Sequence, residues 1–547
     1  MRRLTIAYVS LCSLFSSVGQ ADPVTVAVDT KAAKAISPDL VGIFFEDLSY
    51  AADGGLYAEL VQNRSFEYQP TEQPTWGPLT GWEFVKRGGG AGELWVDSSG
   101  PICANNPHSV LIRIVNAGDG VGLSNAGFDG IPVRAGEQYN FSIFARMLNV
   151  GSGRDNKPDG QLPLDVRLET KDGLVLGEAN VKASSPADWK QLTATITASQ
   201  TVPDARLVVL ARAPGLIALD EVSLFPQKTF KNRKNGLRAD LAQAIADLHP
   251  KFMRFPGGCL THGDGIGNLY RWKDTIGPVE QRKGQPNIWR YHQSMGLGYF
   301  EYFQFCEDIG AQPLPVLAAG VSCQNSSHTR GTGQQCLPLA DMPGYIQDVL
   351  DLIEWANGPA DSTWGAKRAA AGHPAPFGLK YVGIGNEDKQ TDGFRERFRM
   401  IYEAVKAKHP EITVVGTVGP APGGEDYDLG WKFAGELHVP IVDEHYYSSP
   451  QWFWNNLQRY DRYNRARSKV YVGEYAARDA KSRSTLRAAI AEAAYLTSLE
   501  KNGDVVHFAS YAPLLARRGH TSWSPDLIFF NGTDIFPTIS WYSSSTA

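Results

Sequence analysis

The sequence lacks the features that mark several large classes of protein. Its net charge is −5 and its isoelectric point is near 6.2, so no basic field is present to attract nucleic acid or anionic lipid. It contains no Cys-x-x-Cys and no His-Glu-x-x-His, the spacings typical of zinc sites. No Gly-rich phosphate loop follows a predicted strand at the spacing of a dinucleotide-binding sheet. We therefore expect no nucleic-acid partner, no metal and no organic cofactor.

Long apolar runs are also scarce. The run at residues 4–15 follows Arg2 and Arg3 and is too short to span a bilayer. Gly19 and Ala21 then place small residues at the −3 and −1 positions of a cleavage site. This pattern predicts a secretory signal over residues 1–21. We expect the mature protein to be secreted, or periplasmic, and to carry no membrane anchor.

Cysteine is rare. Of six cysteines, Cys12 lies in the predicted signal. The five that remain are Cys103, Cys259, Cys306, Cys323 and Cys336. An odd number leaves at least one free thiol or an intermolecular bond. Cys323 and Cys336 flank a polar loop that has little else to hold it, and we predict a disulfide between them. Cys259 follows Pro-Gly-Gly, and we expect it to be reduced and to lie in a cleft.

The second half of the chain alternates short β-rich runs with amphipathic stretches. Repeated β–α units predict a parallel sheet with helices outside it. Eight strands, the number that closes a (β/α)8 TIM barrel, are predicted at 41–45, 252–255, 312–317, 381–385, 413–417, 441–444, 470–473 and 505–510. Helices are predicted at 237–248, 299–309, 345–355, 394–408 and 485–499. A doubly wound open sheet is the rival, and the missing phosphate loop disfavours it.

The region between the first two barrel strands has a different pattern. Short strand-period runs separated by Gly, Asn, Asp and Pro predict an antiparallel β-sandwich inserted at residues 70–228. Its composition resembles jelly-roll carbohydrate-binding modules, and a purely structural sandwich is an equal alternative. The domains are then a strand and the first barrel strand at 22–69, this insert, and the rest of the barrel at 229–547.

Two glutamates follow predicted barrel strands. Glu387 stands in Gly385-Asn386-Glu387 after the fourth, and Glu474 in Gly473-Glu474-Tyr475 after the seventh. Strand ends meet on one face of a parallel barrel, so the two carboxylates can meet there. Such a pair is what cleavage of a glycosidic bond requires.

Further motifs make the chain resemble glycoside hydrolase family 51, the α-L-arabinofuranosidases. They recur in order from residue 41 to about residue 531 and comprise Gly-Ile-Phe-Phe-Glu-Asp at 42–47, Gly-Gly-Leu-Tyr-Ala-Glu-Leu at 54–60, Gln-Asn-Arg-Ser-Phe-Glu at 62–67, Lys-Phe-Met-Arg-Phe-Pro-Gly-Gly at 251–258, Gly-Asn-Glu at 385–387, Asp-Glu-His-Tyr-Tyr at 443–447 and Gly-Glu-Tyr at 473–475. The resemblance implies a retaining enzyme on a (β/α)8 barrel with an accompanying β-sandwich.

The resemblance also implies roles for individual residues. Glu387 corresponds to the general acid/base and Glu474 to the nucleophile. Arg254, at the end of the second strand, is placed to keep Glu474 ionised through a charge-assisted hydrogen bond. The other residues expected to contact the sugar or orient the carboxylates are Glu46, Cys259, Asn386, His445 and Tyr447, and the sequence separates Tyr447 poorly from Tyr446. Trp272, Trp289, Trp452, Trp454 and Trp523 are candidates for stacking on the aglycone.

Members of the family normally carry a C-terminal β-sandwich after the barrel, and we expect that sandwich to be missing here. It also uses N-terminal strands, so the strand predicted at 24–28 would lack partners.

The resulting hypothesis is an exo-glycosidase that releases terminal α-L-arabinofuranosyl units from arabinoxylan, arabinan or their oligosaccharides in plant cell walls. A related barrel glycosidase, such as an endo-glucanase or β-xylosidase, is one alternative. A carbohydrate-binding protein with impaired catalysis is the other.

Overall fold

The computed structural model describes residues 34–148, 161–184, 188–326 and 333–545. The predicted signal at 1–21 and the predicted strand at 24–28 lie outside these residues.

Eight parallel strands close into a barrel, as predicted. In chain order they are β1 Val41–Phe44, β2 Phe252–Phe255, β3 Gln312–Leu317, β4 Tyr381–Ile384, β5 Thr413–Thr417, β6 Ile441–Ser448, β7 Lys469–Ala477 and β8 Val506–Tyr511. Each strand pairs with the next, and β8 closes the ring on β1. The open-sheet alternative is therefore wrong.

Strands β6 and β7 are longer than the sequence predicts. They run past their predicted ends at residues 444 and 473 and stay paired as far as Ser448 and Ala477. Glu474 thus lies inside a strand rather than after it. The register between β6 and β7 shifts by one residue at Gly473, and the pairing continues beyond it.

The helices surround the barrel. They are α1 Ala239–Ala246, α2 Cys259–His262, α3 Tyr299–Ile309, α4 Met342–Asn357, α5 Gly365–Ala370, α6 Asp392–Lys408, α7 Glu425–Leu437, α8 Pro450–Asn455, α9 Leu486–Lys501 and α10 Ile539–Ser544. The five predicted helices correspond to α1, α3, α4, α6 and α9. Helix α7 was not predicted, because Gly430 and several acidic residues interrupt its apolar pattern.

Between β1 and β2 the chain forms two antiparallel sheets. One has the order Lys190–Thr197, Gln138–Leu148, Gly215–Pro226, Ser109–Asn116 and Ala91–Asp97. The other has the order Trp82–Arg87, Gly120–Asn125, Val202–Ala211, Gln161–Glu169 and Val175–Ser184, with Ile131–Val133 paired to its middle strand. Alternate residues such as Phe141, Ile143 and Ala145 are buried between the sheets, as expected for a sandwich.

A buried ionic cluster joins this sandwich to the segment that follows β1. The Nε of Arg64 lies 3.3 Å from an oxygen of Glu221, and its Nη1 lies 3.8 Å from Glu59. All three side chains are buried. Glu59 also accepts a hydrogen bond from the backbone N–H of Leu224 at 2.9 Å. Buried charged groups therefore connect the last strand of the sandwich to the segment that follows β1.

After β8 the chain forms a small three-stranded sheet of Leu515–Arg517, Ile528–Phe530 and Ile535–Pro537, and then α10. A short hairpin, Gln285–Pro286 with His292–Gln293, lies between α2 and α3. None of the helices in the described part of the chain is long and apolar enough to cross a membrane.

The predicted disulfide between Cys323 and Cys336 is wrong. Both thiols are free, Cys323 being buried and Cys336 exposed. The ends of the loop are held instead by backbone hydrogen bonds, from Ser322 to Gln335 at 2.8 Å and from Leu337 to Gly320 at 2.8 Å. The side chain of Cys323 packs against Cys259.

Candidate active site

Glu387 sits on a tight turn just after β4. Gly385 and Glu387 both have positive φ, 86° and 52°, a conformation that is uncommon for glutamate. The turn is held by Asp388, whose carboxylate accepts a hydrogen bond from the backbone N–H of Asn386 at 2.9 Å. Strained non-glycine residues of this kind persist where surrounding structure fixes them, often at functional sites.

Glu474 points into the barrel because of the register shift beside Gly473. A Cβ at Gly473 would lie 1.9 Å from an oxygen of Asp443, so no larger residue fits. Gly258 makes a second close approach, since a Cβ there would lie 2.7 Å from Glu474. The backbone of the Pro-Gly-Gly turn thus lies close to Glu474, an approach that glycine permits.

The structure brings Glu387 and Glu474 together through His445. The Nδ1 of His445 lies 3.0 Å from Glu387 and 3.6 Å from Glu474. One atom from each of the three side chains lies within 4.8 Å of the others. Two carboxylates that are 87 positions apart in sequence therefore share one small volume.

Arg254 lies beneath this volume and is fully buried. Its guanidinium donates to Glu474 at 3.1 Å and to Asp443 at 2.9 Å, and it also donates to the side-chain oxygen of Asn386. Burial alone would lower the pKa of Arg254, but the charges of Asp443 and Glu474 raise it. One cation thus positions three of the polar groups at the centre.

The electrostatics of the centre combine burial with close charges. Burial raises the pKa of Glu474, while His445, Arg254 and the hydrogen bond from Tyr447 oppose that rise. Burial would lower the pKa of His445, but Asp443 and Glu474 together raise it to about 10. The raised pKa favours the imidazolium form of His445, in which Nε2 donates to Asp443 and Nδ1 to Glu387.

Among the described residues, Glu387, His445 and Glu474 are also the group whose atoms lie close enough to hold a metal ion. A histidine that binds a metal ion must be neutral and must have a free ring nitrogen. His445 has both ring nitrogens within 3.0 Å of carboxylates and a raised pKa. The donor set therefore fits a proton-sharing cluster better than a metal site.

Glu46 lies two residues beyond β1 on the same face of the barrel. One of its oxygens accepts hydrogen bonds from the backbone N–H groups of Gly258, at 2.9 Å, and Leu260, at 3.0 Å. Burial first, and then the charge of Glu474, raise the pKa of Glu46 to about 7. Glu46 can thus be present in either protonation state near neutral pH.

The structure separates the two tyrosines after His445. The hydroxyl of Tyr447 donates to Glu474 at 2.7 Å. Tyr446 is buried on the other side of the strand, with its hydroxyl close to those of Tyr460 and Tyr495. Successive residues of a strand face opposite sides, which explains the difference.

The last two predicted site residues, Asn386 and Cys259, each have a polar atom with no hydrogen-bond partner or only a long contact among the described residues. The side-chain Nδ2 of Asn386 is buried and has no hydrogen-bond partner in the described part of the protein. Cys259 is buried, and Asn325 donates to its sulfur at 3.6 Å. The neighbouring Cys323 and burial both raise the pKa of the Cys259 thiol, so it is not an ionised nucleophile.

Sequence reasoning missed Gln324. Its side-chain amide donates to Glu387 at 2.9 Å, from the loop between β3 and α4. It also gave Asp443 no role of its own, although Asp443 binds both Arg254 and His445. The alternation of β6 gives a signal for Asp443, which must share a face with His445. No local pattern distinguishes Gln324 from its polar neighbours.

The five tryptophans proposed for aglycone stacking divide into two groups. Trp523 lies 5.2 Å from Tyr447 between ring centroids, and Trp289 lies 6.3 Å from Trp523. Trp272 is a core residue, 2% exposed. Trp452 and Trp454 pack on the main hydrophobic core, away from the group of Tyr447, Trp523 and Trp289. Trp289 and Trp523 are therefore the two that border the site.

A closed parallel barrel with two glutamates at the carboxyl ends of its strands defines a class, the barrel glycoside hydrolases. Comparisons with known proteins define the family. Residues 244–465 match the model described as alpha-L-arabinofuranosidase 1 domain, and residues 454–546 match the alpha-L-arabinofuranosidase C-terminal domain. This second match covers β7, β8 and the three-stranded sheet.

Relatives match almost the whole chain. It is 43% identical to an extracellular exo-alpha-L-arabinofuranosidase of Streptomyces chartreusis, over 93% of this chain and 58% of that protein. It is 35% identical to alpha-L-arabinofuranosidase 1 of Arabidopsis thaliana, over 97% of this chain and 76% of that protein. The solved structure of arabinose-bound MgGH51 α-L-arabinofuranosidase superposes with a TM-score of 0.82 at 32% identity, covering 94% of this chain and 80% of that one. The chain belongs to the α-L-arabinofuranosidases of glycoside hydrolase family 51.

Proposed function

We propose that the protein is a retaining exo-α-L-arabinofuranosidase that acts by double displacement, with Glu474 as nucleophile and Glu387 as general acid/base. The observation that carries this proposal is the distance between the two carboxyls, whose nearest pair of oxygens lies within 4.8 Å. Retaining glycosidases separate these groups by about 5–5.5 Å, whereas inverting enzymes need about 6.5–9.5 Å to admit a water.

In the first step an oxygen of Glu474 attacks the anomeric carbon of the arabinofuranosyl unit. Glu387 transfers its proton to the glycosidic oxygen as the bond between that oxygen and the carbon breaks, and the aglycone leaves as an alcohol. Arg254 and Tyr447 fix the orientation of Glu474 by donating to different oxygens of it, at 3.1 and 2.7 Å.

In the second step Glu387, now ionised, takes a proton from a water molecule that attacks the same carbon. The ester bond to Glu474 breaks, and arabinose leaves with the configuration it had in the substrate. His445 and Gln324 hold Glu387 at 3.0 and 2.9 Å through both steps. His445 donates to the ionised form, so it stabilises the state that accepts the proton.

Glu46 and Asn386 are proposed to bind sugar hydroxyls. Glu46 uses one oxygen for two backbone N–H groups and leaves the other for a ligand. The Nδ2 of Asn386 is a buried donor without an acceptor among the described residues, and a sugar hydroxyl would supply one. Such contacts strengthen as positive charge develops on the ring.

We also propose that the protein is secreted and that its substrates are arabinoxylan, arabinan or their oligosaccharides. The predicted signal at residues 1–21 supports export, and the relative from Streptomyces is described as extracellular. The two tryptophans beside the site support a carbohydrate aglycone, because aromatic faces stack on sugar rings.

The test is hydrolysis of 4-nitrophenyl α-L-arabinofuranoside followed by proton NMR from the first minute. We expect the α anomer of arabinose to form first and the β anomer to appear only as the sugar equilibrates. Release of the β anomer first would contradict double displacement. Faster hydrolysis of 4-nitrophenyl β-D-xyloside or of β-glucan would favour the alternative glycosidases, and no hydrolysis at all would favour the binding protein.

A further inference from the structure

The wall of the site contains a cation that the proposed reaction does not use. Arg478 is the first residue after β7, four positions beyond Glu474, and its backbone N–H is bonded to Ser448 at 2.7 Å. Its guanidinium carbon lies 4.7 Å from the ring centroid of Tyr447 and 4.5 Å from that of Trp523. One aromatic ring therefore separates this cation from the nucleophile.

In the described part of the chain, several other partly or fully buried arginines have a counter-ion that Arg478 lacks, while the buried Arg368 donates to backbone carbonyl oxygens instead. Arg254 pairs with Asp443 and Glu474, Arg459 with Glu444, and Arg517 with Asp129. Within the described residues, no carboxylate lies within ion-pair distance of the Arg478 side chain. A half-buried guanidinium without a carboxylate is costly, and burial lowers its pKa accordingly.

Two indole donors on the same wall as Arg478 are also unused by the residues that the structure describes. The indole N–H groups of Trp289 and Trp523 have no hydrogen-bond partner in the part of the chain that the structure describes. The loop after Arg478 carries Lys481 and Arg483, both exposed. Its acidic residue, Asp479, is engaged by Thr485 at 2.7 Å and by Arg487. This rim is therefore positive and rich in donors.

We propose that Arg478 binds a carboxylate on the aglycone, so that the enzyme prefers arabinofuranosyl units attached to, or next to, a uronic acid. This inference rests on the proposed function and names the substrate class of the same site. The flat guanidinium packs against both rings, whose centroids lie 5.2 Å apart, and these contacts restrict its orientation for bidentate bonding to a carboxylate. Trp289 and Trp523 offer the faces on which the acidic sugar would stack.

The experiment compares two chromogenic arabinofuranosides, one with a charged and one with an uncharged aglycone, and reads the change in their ratio between wild type and variant. One carries 4-carboxy-2-nitrophenol, and the other carries its methyl ester. Arg478→Met removes the charge and the guanidinium and keeps an unbranched, apolar side chain. We expect its kcat/KM to fall at least about tenfold more on the carboxylate than on the ester, because hydrogen bonds to charged groups contribute at that level. Arg478→Lys should recover part of the difference.

The control is Arg483→Met, which removes a charge from the same loop but stacks on neither ring. It should leave the ratio of the two substrates unchanged. Raising the salt concentration should weaken the preference of the wild-type enzyme for the carboxylate, and this measurement needs no variant.

Equal losses on both substrates in Arg478→Met would overturn the inference. So would a shifted basic limb of the pH profile on the ester alone, because Arg478 would then act on the proton of Glu387 and not on the aglycone. A wild-type enzyme that hydrolyses the ester but shows no preference removes only this inference. A wild-type enzyme that hydrolyses neither compound removes the proposed function with it.

Discussion

Glu387 and Glu474 differ in their surroundings, and the difference sets their proposed roles. Glu474 is buried and receives hydrogen bonds from Arg254 and Tyr447, which suit an ionised group. Glu387 is more exposed and is held by Gln324 and His445 on a turn with positive φ. A proton must pass between Glu387 and the aglycone or water, and the more open position allows it.

The two glutamates should therefore respond differently to removal. Glu387→Ala should lower kcat/KM by about 10²–10⁴-fold on an arabinoxylo-oligosaccharide, whose leaving group needs protonation. The loss should be much smaller on 2,4-dinitrophenyl α-L-arabinofuranoside, whose leaving group does not. Glu474→Ala should abolish turnover of both. Similar losses on both substrates for Glu387→Ala would contradict its role as acid.

At the scale of single elements, Gly473 allows β7 to shift its register against β6 by one residue, and this shift points Glu474 into the barrel. Gly473→Ala should place a methyl group against the carboxylate of Asp443. This carboxylate cannot move far, because it accepts a hydrogen bond from Arg254 at 2.9 Å. We expect at least a tenfold loss of kcat and about 1–3 kcal/mol of destabilisation. Kinetics and chemical denaturation measure the two effects.

Gly435→Ala is the matched control. Gly435 lies in α7, is exposed, and has open space around the position of a new Cβ. Alanine should stabilise this helix by about 0.5–1 kcal/mol and leave kcat unchanged. A Gly473→Ala enzyme as active and stable as this control would show that the register shift does not depend on glycine.

Helix α9 carries a buried acid whose titration should make stability depend on pH. Burial raises the pKa of Glu492 to about 7, above its ordinary value of 4.5. Because the pKa of Glu492 is higher in the folded protein than in the unfolded chain, the protonated side chain makes its full contribution to stability below pH 4.5. This contribution is then lost as the pH rises through 7. Burial raises the pKa values of Glu46, Asp47 and Glu59 to about 7 in the same way.

We therefore expect the free energy of unfolding to fall between pH 5 and pH 8. Glu492→Gln should make that fall shallower, because the amide oxygen can still accept from the backbone N–H of Ala477 without ionising. Each unit of pKa shift corresponds to about 1.4 kcal/mol. Urea denaturation of the wild type and of Glu492→Gln at several pH values measures the free energy of unfolding. If it falls equally steeply with pH in both proteins, Glu492 is not the titrating group.

At the scale of the whole molecule, the sandwich and the barrel share buried charges. Arg64→Met would leave Glu59 and Glu221 buried without their cation, which costs about 3–5 kcal/mol. We expect calorimetry to show one transition for the wild-type protein and a lower melting temperature for this variant. Two separate wild-type transitions would contradict the coupling.

Arg113→Met provides the comparison for Arg64. Arg113 pairs with Glu93 on the outer face of the sandwich, and both side chains are exposed. Exposed pairs contribute little, so its melting temperature should stay close to that of the wild type. The predicted role of the sandwich in binding glycans stays a prediction, because the junction shows how it is attached and not what it binds.

The sequence by itself determined the barrel and five of the ten helices given above, because the alternation of apolar runs is a local property of each segment. It also predicted that the two glutamates belong to the fourth and seventh strands of the barrel. It could not predict the extension of β6 and β7, since a one-residue register shift depends on the partner strand.

Only the tertiary structure decided how the site is assembled. Arg254 meets Asp443 and Glu474 because β2, β6 and β7 point into one barrel. Gln324 reaches Glu387 from a loop with no distinctive pattern, and Cys323 turns towards Cys259 and away from Cys336. Contacts between distant segments depend on barrel closure and side-chain direction, which no single stretch of sequence contains.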